Sequence, residues 1–475
     1  MLFNSPLFVL GFLPLTWGGF WLTASLAGQR PALGFLLAAS LIFYGWWYPP
    51  FLLILLGSIS VNFTILRIMQ TREHQKPWLI AGLCFNLGLL AVCKYSPLLS
   101  MSWHWALPLG ISFFTFQQIM MLVDQARGQA QAGSFLDYAL FVAFFPHLIA
   151  GPIVRPGEIM PQLRALAPLD QWRTKLADGA EIFLLGLGKK LVLADSFARF
   201  ADPGFAAAAA GHSLSLLEAW VALLAYGLQI YFDFSGYSDM AIGLARMFGI
   251  RFPLNFKSPY QALDISDFWR RWNITLSAFL RDYLYIPLGG NRHGEAARIR
   301  NLMITMLLGG LWHGAAWKFM LWGGLHGLFL VIHGWFRQSP LRLPRAFSWA
   351  ITWLAVMLAW VPFRAADMAA SLDMFRGLAG LQGFFLPRLI LDHLPLLHGF
   401  AEPVAVLPWL GDARTLSVIQ AILLLTLGWF IALALPDIHS WGARGRAWAL
   451  TSGFALTCQA LLFAPFVRPF LYFQF

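Results

Sequence analysis

Apolar residues run along this chain in blocks of membrane-crossing length. A helix needs roughly 20 such residues to cross about 30 Å of hydrocarbon. Leu7 to Ala27, Ala32 to Tyr48, Phe51 to Ile68, Trp78 to Val92, Trp105 to Val123, Leu214 to Phe232, Phe347 to Val361, Leu416 to Leu435 and Ala447 to Phe466 meet or approach that length. With shorter and polar-interrupted stretches added, about 10 to 12 crossings or half-crossings are expected. The pattern predicts an all-α polytopic integral membrane protein, with amphipathic interfacial helices beside the spans.

Two blocks break the alternation. Tyr138 to Val154 is interrupted by Pro146 and Gly151-Pro152, so it should enter and leave on one face. Asn301 to Trp335 is too long for one crossing and too short for two, and broken or re-entrant helices are expected there. Entering near Asn301, such a helix would carry His313 about 18 Å along its axis, close to mid-depth. From Asp264 to Tyr283, Ile265, Phe268, Trp269, Trp272, Leu276, Phe279, Leu280 and Tyr283 recur at helical spacing, which predicts one amphipathic helix with Asn273 at the border of its apolar stripe. Ala365 to Thr415 has no clean span and carries Pro387, Pro395, Pro403 and Pro408; short amphipathic pieces on the outer face are expected.

Composition agrees with the pattern: 59% of the 475 residues are hydrophobic and 12% charged. The net charge of +11 comes from basic clusters between apolar blocks: Arg30; Arg67, Arg72 and Lys76; Arg155 to Lys175; Arg270 to Arg300; Arg337 to Arg345; Arg444 and Arg446. Such clusters mark cytoplasmic loops, place the N-terminus outside and leave no reason to invoke nucleic acid. Trp46, Trp47, Trp103 and Trp105 suit an interfacial belt. Leu7 to Ala27 lacks a basic flank and is expected to remain as the first span. Cys84, Cys93 and Cys458 show no ligand or CxxC spacing. No metal-binding HExxH, phosphate-binding GxxxxGK[ST] or GxSxG elbow is present, so no metal is expected and neither ATP-driven transport nor a marked serine nucleophile is supported.

The chemistry-bearing feature is Trp312-His313-Gly314 inside an apolar run, with Asn273 lying 40 residues upstream. An ionisable residue in hydrocarbon is costly, so His313 is a functional candidate; the bland reading is a packed histidine bonded to a carbonyl. A neutral imidazole held there is ready to accept a proton. For Asn273 the bland reading is a minor polar residue on a membrane-surface helix. His326 could be a second participant, though orienting structure or lining a cavity suits it as well. His147, Asp233 and Asp239 form another polar group in apolar sequence, with partnership to nearby arginines or to backbone as the alternative to a direct role.

Phe268-Trp269-Arg270-Arg271-Trp272-Asn273, Leu280-Arg281-Asp282-Tyr283 through Gly289-Gly290-Asn291-Arg292, Gly309-Gly310-Leu311-Trp312-His313-Gly314, Phe144-Phe145-Pro146-His147 and Tyr231-Phe232-Asp233-Phe234-Ser235-Gly236-Tyr237 together resemble the membrane-bound O-acyltransferase family, in its bacterial alginate O-acetylation branch. The resemblance implies one membrane-embedded domain over residues 1–475, a catalytic core over about 100–336, C-terminal helices over 337–475 and a central tunnel. It also implies a catalytic His at 313 and a His, Asn or Asp at 273, so the Asn here argues against a mechanism that needs two imidazoles.

By the same resemblance, acetyl-CoA or another cytoplasmic thioester is the donor substrate, with no permanently bound cofactor. Trp269, Arg270, Arg271, Trp272, Arg281, Trp312, His326, His147 and Asp233 are candidates for the donor tunnel. Arg270, Arg271, Arg281 and Arg292 would meet CoA phosphates or simply anchor topology. The implied partners are the lipid bilayer, an extracytoplasmic acetyltransferase and polysaccharide-synthesis machinery, in a bacterial inner membrane. The implied product is an O-acetylated extracytoplasmic polysaccharide such as alginate or cellulose. A teichoic acid, lipid or protein acceptor, or a transporter built on broken helices, are the alternatives.

Overall fold

The computed structural model describes residues 1–95, 107–165, 169–393, 396, 399–405, 407–410, 415–441, 457–458 and 468–471. The expected spans over Trp105–Val123 and Ala447–Phe466 lie partly or almost wholly outside these residues, as do Trp103, Trp105, Arg444, Arg446 and Pro395.

Helices α1 (Leu13–Ala27) and α2 (Gln29–Gly45) are separated only by Gly28, whose φ of 90° breaks the helix. A π-helical turn, Leu7–Phe12, leads into α1. Helices α3 (Phe51–Thr71) and α4 (Lys76–Tyr95) follow as long apolar rods, then α5 (Ile111–Ala126), which is almost wholly buried. The block expected to be interrupted is so: a capping box at Ser134 starts α6 (Phe135–Ala143), α7 (Phe145–Leu148) is one turn containing Pro146, and α8 (Pro156–Arg164) comes after an irregular stretch.

Helix α9 (Trp172–Gly188) leads through a π-helical stretch into α10 (Asp195–Ala209). Central to the molecule is α11 (Leu216–Met247), started by a capping box between Ser215 and Glu218. At 1.5 Å per residue its 32 residues extend about 48 Å, and most of them are buried. Two glycines spaced seven apart on each helix form its antiparallel seam with α9. A side chain at Gly179 would meet the Gly243 carbonyl oxygen at 2.5 Å, and one at Gly186 would meet that of Gly236 at 2.6 Å. In apolar surroundings such small-residue seams let backbones approach and gain packing.

Two expectations are corrected. The stretch 264–283 is not one helix: α12 (Ile265–Trp269) and α13 (Ile274–Leu280) flank a turn at 270–273, because Asn273 takes a left-handed φ of 43°. The run around His313 is a hairpin of two full-length helices, α14 (Gly294–His313) and α15 (Trp317–Gln338). The apolar count missed the polar first turns of α14, where Glu295, Arg298 and Arg300 extend the helix before Asn301.

Helices α16 (Arg345–Arg364) and α17 (Met368–Leu378) come next. A parallel pairing of three residues each, β1 (Phe385–Pro387) with β2 (Glu402–Val404), has α18 (Arg388–His393) between its strands in sequence, so the described part of 365–415 is made of short pieces. Helix α19 (Thr415–Ala434) is uncharged and mostly apolar. Among the described residues, five helical stretches are long and apolar enough to cross a membrane: Leu7–Ala27, α3, α4, α15 and α16. Leu15, Leu22, Leu26, Leu53 and Phe347 point their side chains out of the fold, as lipid-facing surfaces require. The all-α polytopic architecture is as the hydrophobic pattern predicts.

Candidate active site

Asn273 owes its place to backbone geometry. Asp264 caps α12 by accepting the Asp267 N–H at 2.7 Å, and α12 closes after one turn with the Trp272 N–H donating to Phe268 O. The chain then reverses at Asn273, one of the few residue types that tolerate left-handed φ, before α13 begins. Asn255 pins this reversal: its carbonyl accepts the Ile274 N–H at 2.9 Å, and its Oδ1 accepts from the Thr275 backbone and hydroxyl at 3.2 and 2.8 Å. Asn255 is held in turn by donating to the Ser238 hydroxyl of α11. The Asn273 side chain makes no hydrogen bond among the described residues and faces a cavity.

His313 is the last residue of α14, at the tip of the hairpin. The hairpin closes over glycines: a side chain on Gly310 would meet Phe319 O at 2.2 Å, and one on Gly323 would meet Met306 O at 2.2 Å. The last carbonyls of α14, which lack partners within the helix, are taken by α4: the Tyr95 hydroxyl donates to Leu311 O at 2.8 Å, and the Lys94 ammonium donates to Trp312 O. The imidazole stands edge-on to Trp322 and Phe363, both with ring centres at 5.0 Å, and its Nδ1 is buried with no hydrogen-bond partner among the described residues.

Asn273 and His313 line one narrow cavity. Trp269, Trp272 and Asp233 share its wall with Trp322, Trp360, Phe363 and Leu471. The remaining sequence candidates lie elsewhere. His326 sits behind Trp322, with ring centres 4.9 Å apart, and both its nitrogens are buried without partners among the described residues. Trp312 stacks on Phe116 away from the cavity. His147 pairs with Gln117 at 2.8 Å and packs against Phe252.

The arginine candidates lie outside the cavity wall. Arg270 and Arg271 both pair with Asp267, and Arg281 forms a two-point bridge to Asp282, which also pairs with Arg155. Partial burial works against charge on Asp282, but hydrogen bonds from Arg281 and Arg155 outweigh it and hold the carboxyl below the usual carboxylate range. Asp233 and Asp239 are partnered by lysines, where nearby arginines or backbone were the alternatives to a direct role, and Asp233 also accepts a backbone N–H, that of Leu471. Lys190 reaches Asp233 at 2.8 Å and Lys189 reaches Asp239 at 2.6 Å, with His439 on the other Asp239 oxygen.

Sequence reasoning missed Lys94, Asn255, Trp360, Phe363 and Leu471. Lys94 carries a usable signal, a charged residue at the end of an apolar run, whereas Asn255 lies in a mixed loop sequence that gives none. The three apolar residues carry none, since nothing in sequence distinguishes a cavity wall from a core.

Chemically, the site offers an unpartnered imidazole nitrogen and an amide facing a largely apolar space, an arrangement that can take a proton from one group while polarising a carbonyl on another. The chain is similar to known proteins over much of its length. Residues 82–367 match the MBOAT, membrane-bound O-acyltransferase family. The chain is 39% identical to the peptidoglycan O-acetyltransferase of Helicobacter pylori, over 100% of this chain and 98% of that protein. It is 40% identical to a probable alginate O-acetylase of Pseudomonas aeruginosa, over 83% and 81% of the two chains. Identity to the teichoic acid D-alanyltransferase of Streptococcus thermophilus is 29%, over 49% of this chain and 58% of that one.

Proposed function

We propose that this chain, which belongs to the membrane-bound O-acyltransferase family and is an O-acyltransferase, moves an acetyl group from a cytoplasmic thioester, acetyl-CoA, toward an extracytoplasmic polysaccharide. The observation that carries the reading is the convergence of His313 and Asn273 on one cavity. His313 takes the proton of an acceptor hydroxyl as the oxygen attacks the thioester carbonyl, and Asn273 donates a hydrogen bond to the carbonyl oxygen as negative charge gathers there. The C–S bond then breaks, the imidazolium returns its proton to the leaving thiolate, and an oxygen ester and a free thiol result with His313 neutral again.

The long, near-complete similarity to proteins named for alginate and peptidoglycan O-acetylation favours a polysaccharide over a teichoic acid, a lipid or a protein as final acceptor. An extracytoplasmic acetyltransferase is the partner that passes the group on. The basic loops support a bacterial inner-membrane setting with the N-terminus outside. Family membership leaves the transporter reading without support.

The test is His313→Ala in cells and in membranes given radiolabelled acetyl-CoA. Base-labile acetate bound to the envelope polymer should fall by about 10²- to 10⁴-fold, the size of a general-base contribution, while the variant still inserts in the membrane. Retained transfer by a folded variant refutes the assignment.

A further inference from the structure

The segment 468–471 is the least obvious part of the cavity wall, and it is fastened residue by residue. The Arg468 carbonyl accepts from the Asn4 amide at 3.1 Å, and its guanidinium reaches Asp202 at 3.1 Å. The Pro469 carbonyl accepts from the Lys190 ammonium at 3.3 Å. Phe470 packs edge-on against Tyr237 of α11 with ring centres 4.8 Å apart. The Leu471 N–H donates to Asp233 Oδ2 at 2.9 Å, and Lys190 bridges the other oxygen of that carboxylate. Asp233 and Lys190 therefore act as a clamp. A carboxylate and an ammonium this deeply buried are tolerated because each is paired, and removing either partner would strand the other.

What the clamp delivers into the cavity is an aliphatic side chain. Leu471 is 5% exposed and lines the same space as His313 and Asn273. The aromatic members of that wall are packed against one another, as Trp272 is on Trp360 and Trp322 is on Phe363. Leu471 instead is held through its own backbone N–H, which Asp233 accepts. Leu471 closes one side of the space that His313 and Asn273 face, so shortening it widens the space where a donor's acyl chain would lie.

We propose that Leu471, positioned by the Asp233–Lys190 clamp, sets the acyl length this enzyme accepts: it limits the donor to acetyl, and shortening it admits longer saturated acyl thioesters. This rests on the acyl-transfer reading above. The reaction is unchanged, with the thioester C–S bond broken, the ester C–O bond formed and the proton passed through His313; only the acyl chain differs.

The test is competition. Membranes holding the full chain receive equal amounts of ¹⁴C-acetyl-CoA and ³H-butyryl-CoA, and the ratio of the two labels in base-labile polymer ester is read. Because one methylene in an apolar pocket is worth about 10- to 200-fold in discrimination, Leu471→Ala should raise the butyryl-to-acetyl ratio at least about tenfold. Leu471→Val should raise the same ratio for propionyl-CoA by less. Should the alanine variant fail to fold, the valine variant decides. An unchanged ratio with intact acetyl transfer overturns the proposal, as does an equal loss of both labels in a folded variant. Absence of any His313-dependent acetyl transfer by the unmodified chain would instead sink the underlying reaction.

Discussion

Two adjacent glycines on α15 should respond in opposite ways to the same change. An added methyl at residue 323 would lie 2.2 Å from the Met306 carbonyl oxygen and 3.2 Å from the Gly310 Cα, both backbone atoms that no rotamer change can move. At residue 324 the nearest atom is the flexible Leu307 Cδ2 at 3.5 Å, an ordinary contact. Gly323→Ala therefore has to part α14 from α15 by roughly 1 Å, and His313 rides on the tip of α14. Misplacement of that size costs on the order of 10²-fold in rate, and overpacking costs typically about 1 to 3 kcal/mol in stability. Gly324→Ala has no such clash and gains up to about 1 kcal/mol of helix propensity. The assay pairs polymer-bound base-labile acetate with thermal stability of the detergent-extracted protein. If Gly323→Ala keeps acetyl transfer within threefold of the parent, or Gly324→Ala loses as much, the glycine seam is not what aims the imidazole.

At Asn273, alanine would confound two effects, since a non-glycine residue without local hydrogen-bonding ability costs about 1 to 2 kcal/mol in left-handed backbone. Asn273→Gly keeps the turn and removes only the amide, so transfer should fall about 10²- to 10³-fold at near-parental stability; full activity would remove Asn273 from the chemistry. Asp282→Asn should cost stability in a pH-dependent way. A carboxyl held below its ordinary range stabilises above the unfolded value of about 3.9 and loses that contribution as pH falls through its lower folded value, so the gap in thermal stability between parent and variant should be constant near neutrality and close in acid. A gap that persists unchanged at the acid end would contradict the ion-pair account.

What the sequence disclosed followed from hydrophobic length. The long apolar helices α3, α4 and α16 sit where the pattern put them, because a lipid-facing helix advertises itself by composition alone. What it obscured were the places where helices stop. Apolar residues continue straight through 264–283, and periodicity has no way to register that Asn273 bends the backbone to φ 43°. The length of the hairpin was hidden for the opposite reason: α14 starts in charged residues that do not count toward an apolar run, so the run looked too short for two full helices. Of the residues proposed for the tunnel, Trp269, Trp272 and Asp233 reach the cavity with His313 and Asn273, while the arginines stay with their carboxylates. Distance along the chain says nothing about which of several motif residues turns inward.

His313 and Asn273 both occupy helix ends, and there is a physical reason for that placement. A side chain inside a continuous helix packs against the helix's own neighbours, whereas a terminal residue can project beyond them; the price is a set of backbone groups with no partner in the helix. This fold meets that demand with side chains drawn from distant elements: Tyr95 and Lys94 take the last carbonyls of α14, and Asn255 takes the first amides of α13. Each also fixes the terminus it satisfies, so the hydrogen bonds that make the breaks tolerable are the ones that aim His313 and Asn273. In an apolar interior a lysine or asparagine is retained only when such a bond returns more than its burial costs, and Lys94 and Asn255, both buried, each make one at a helix terminus.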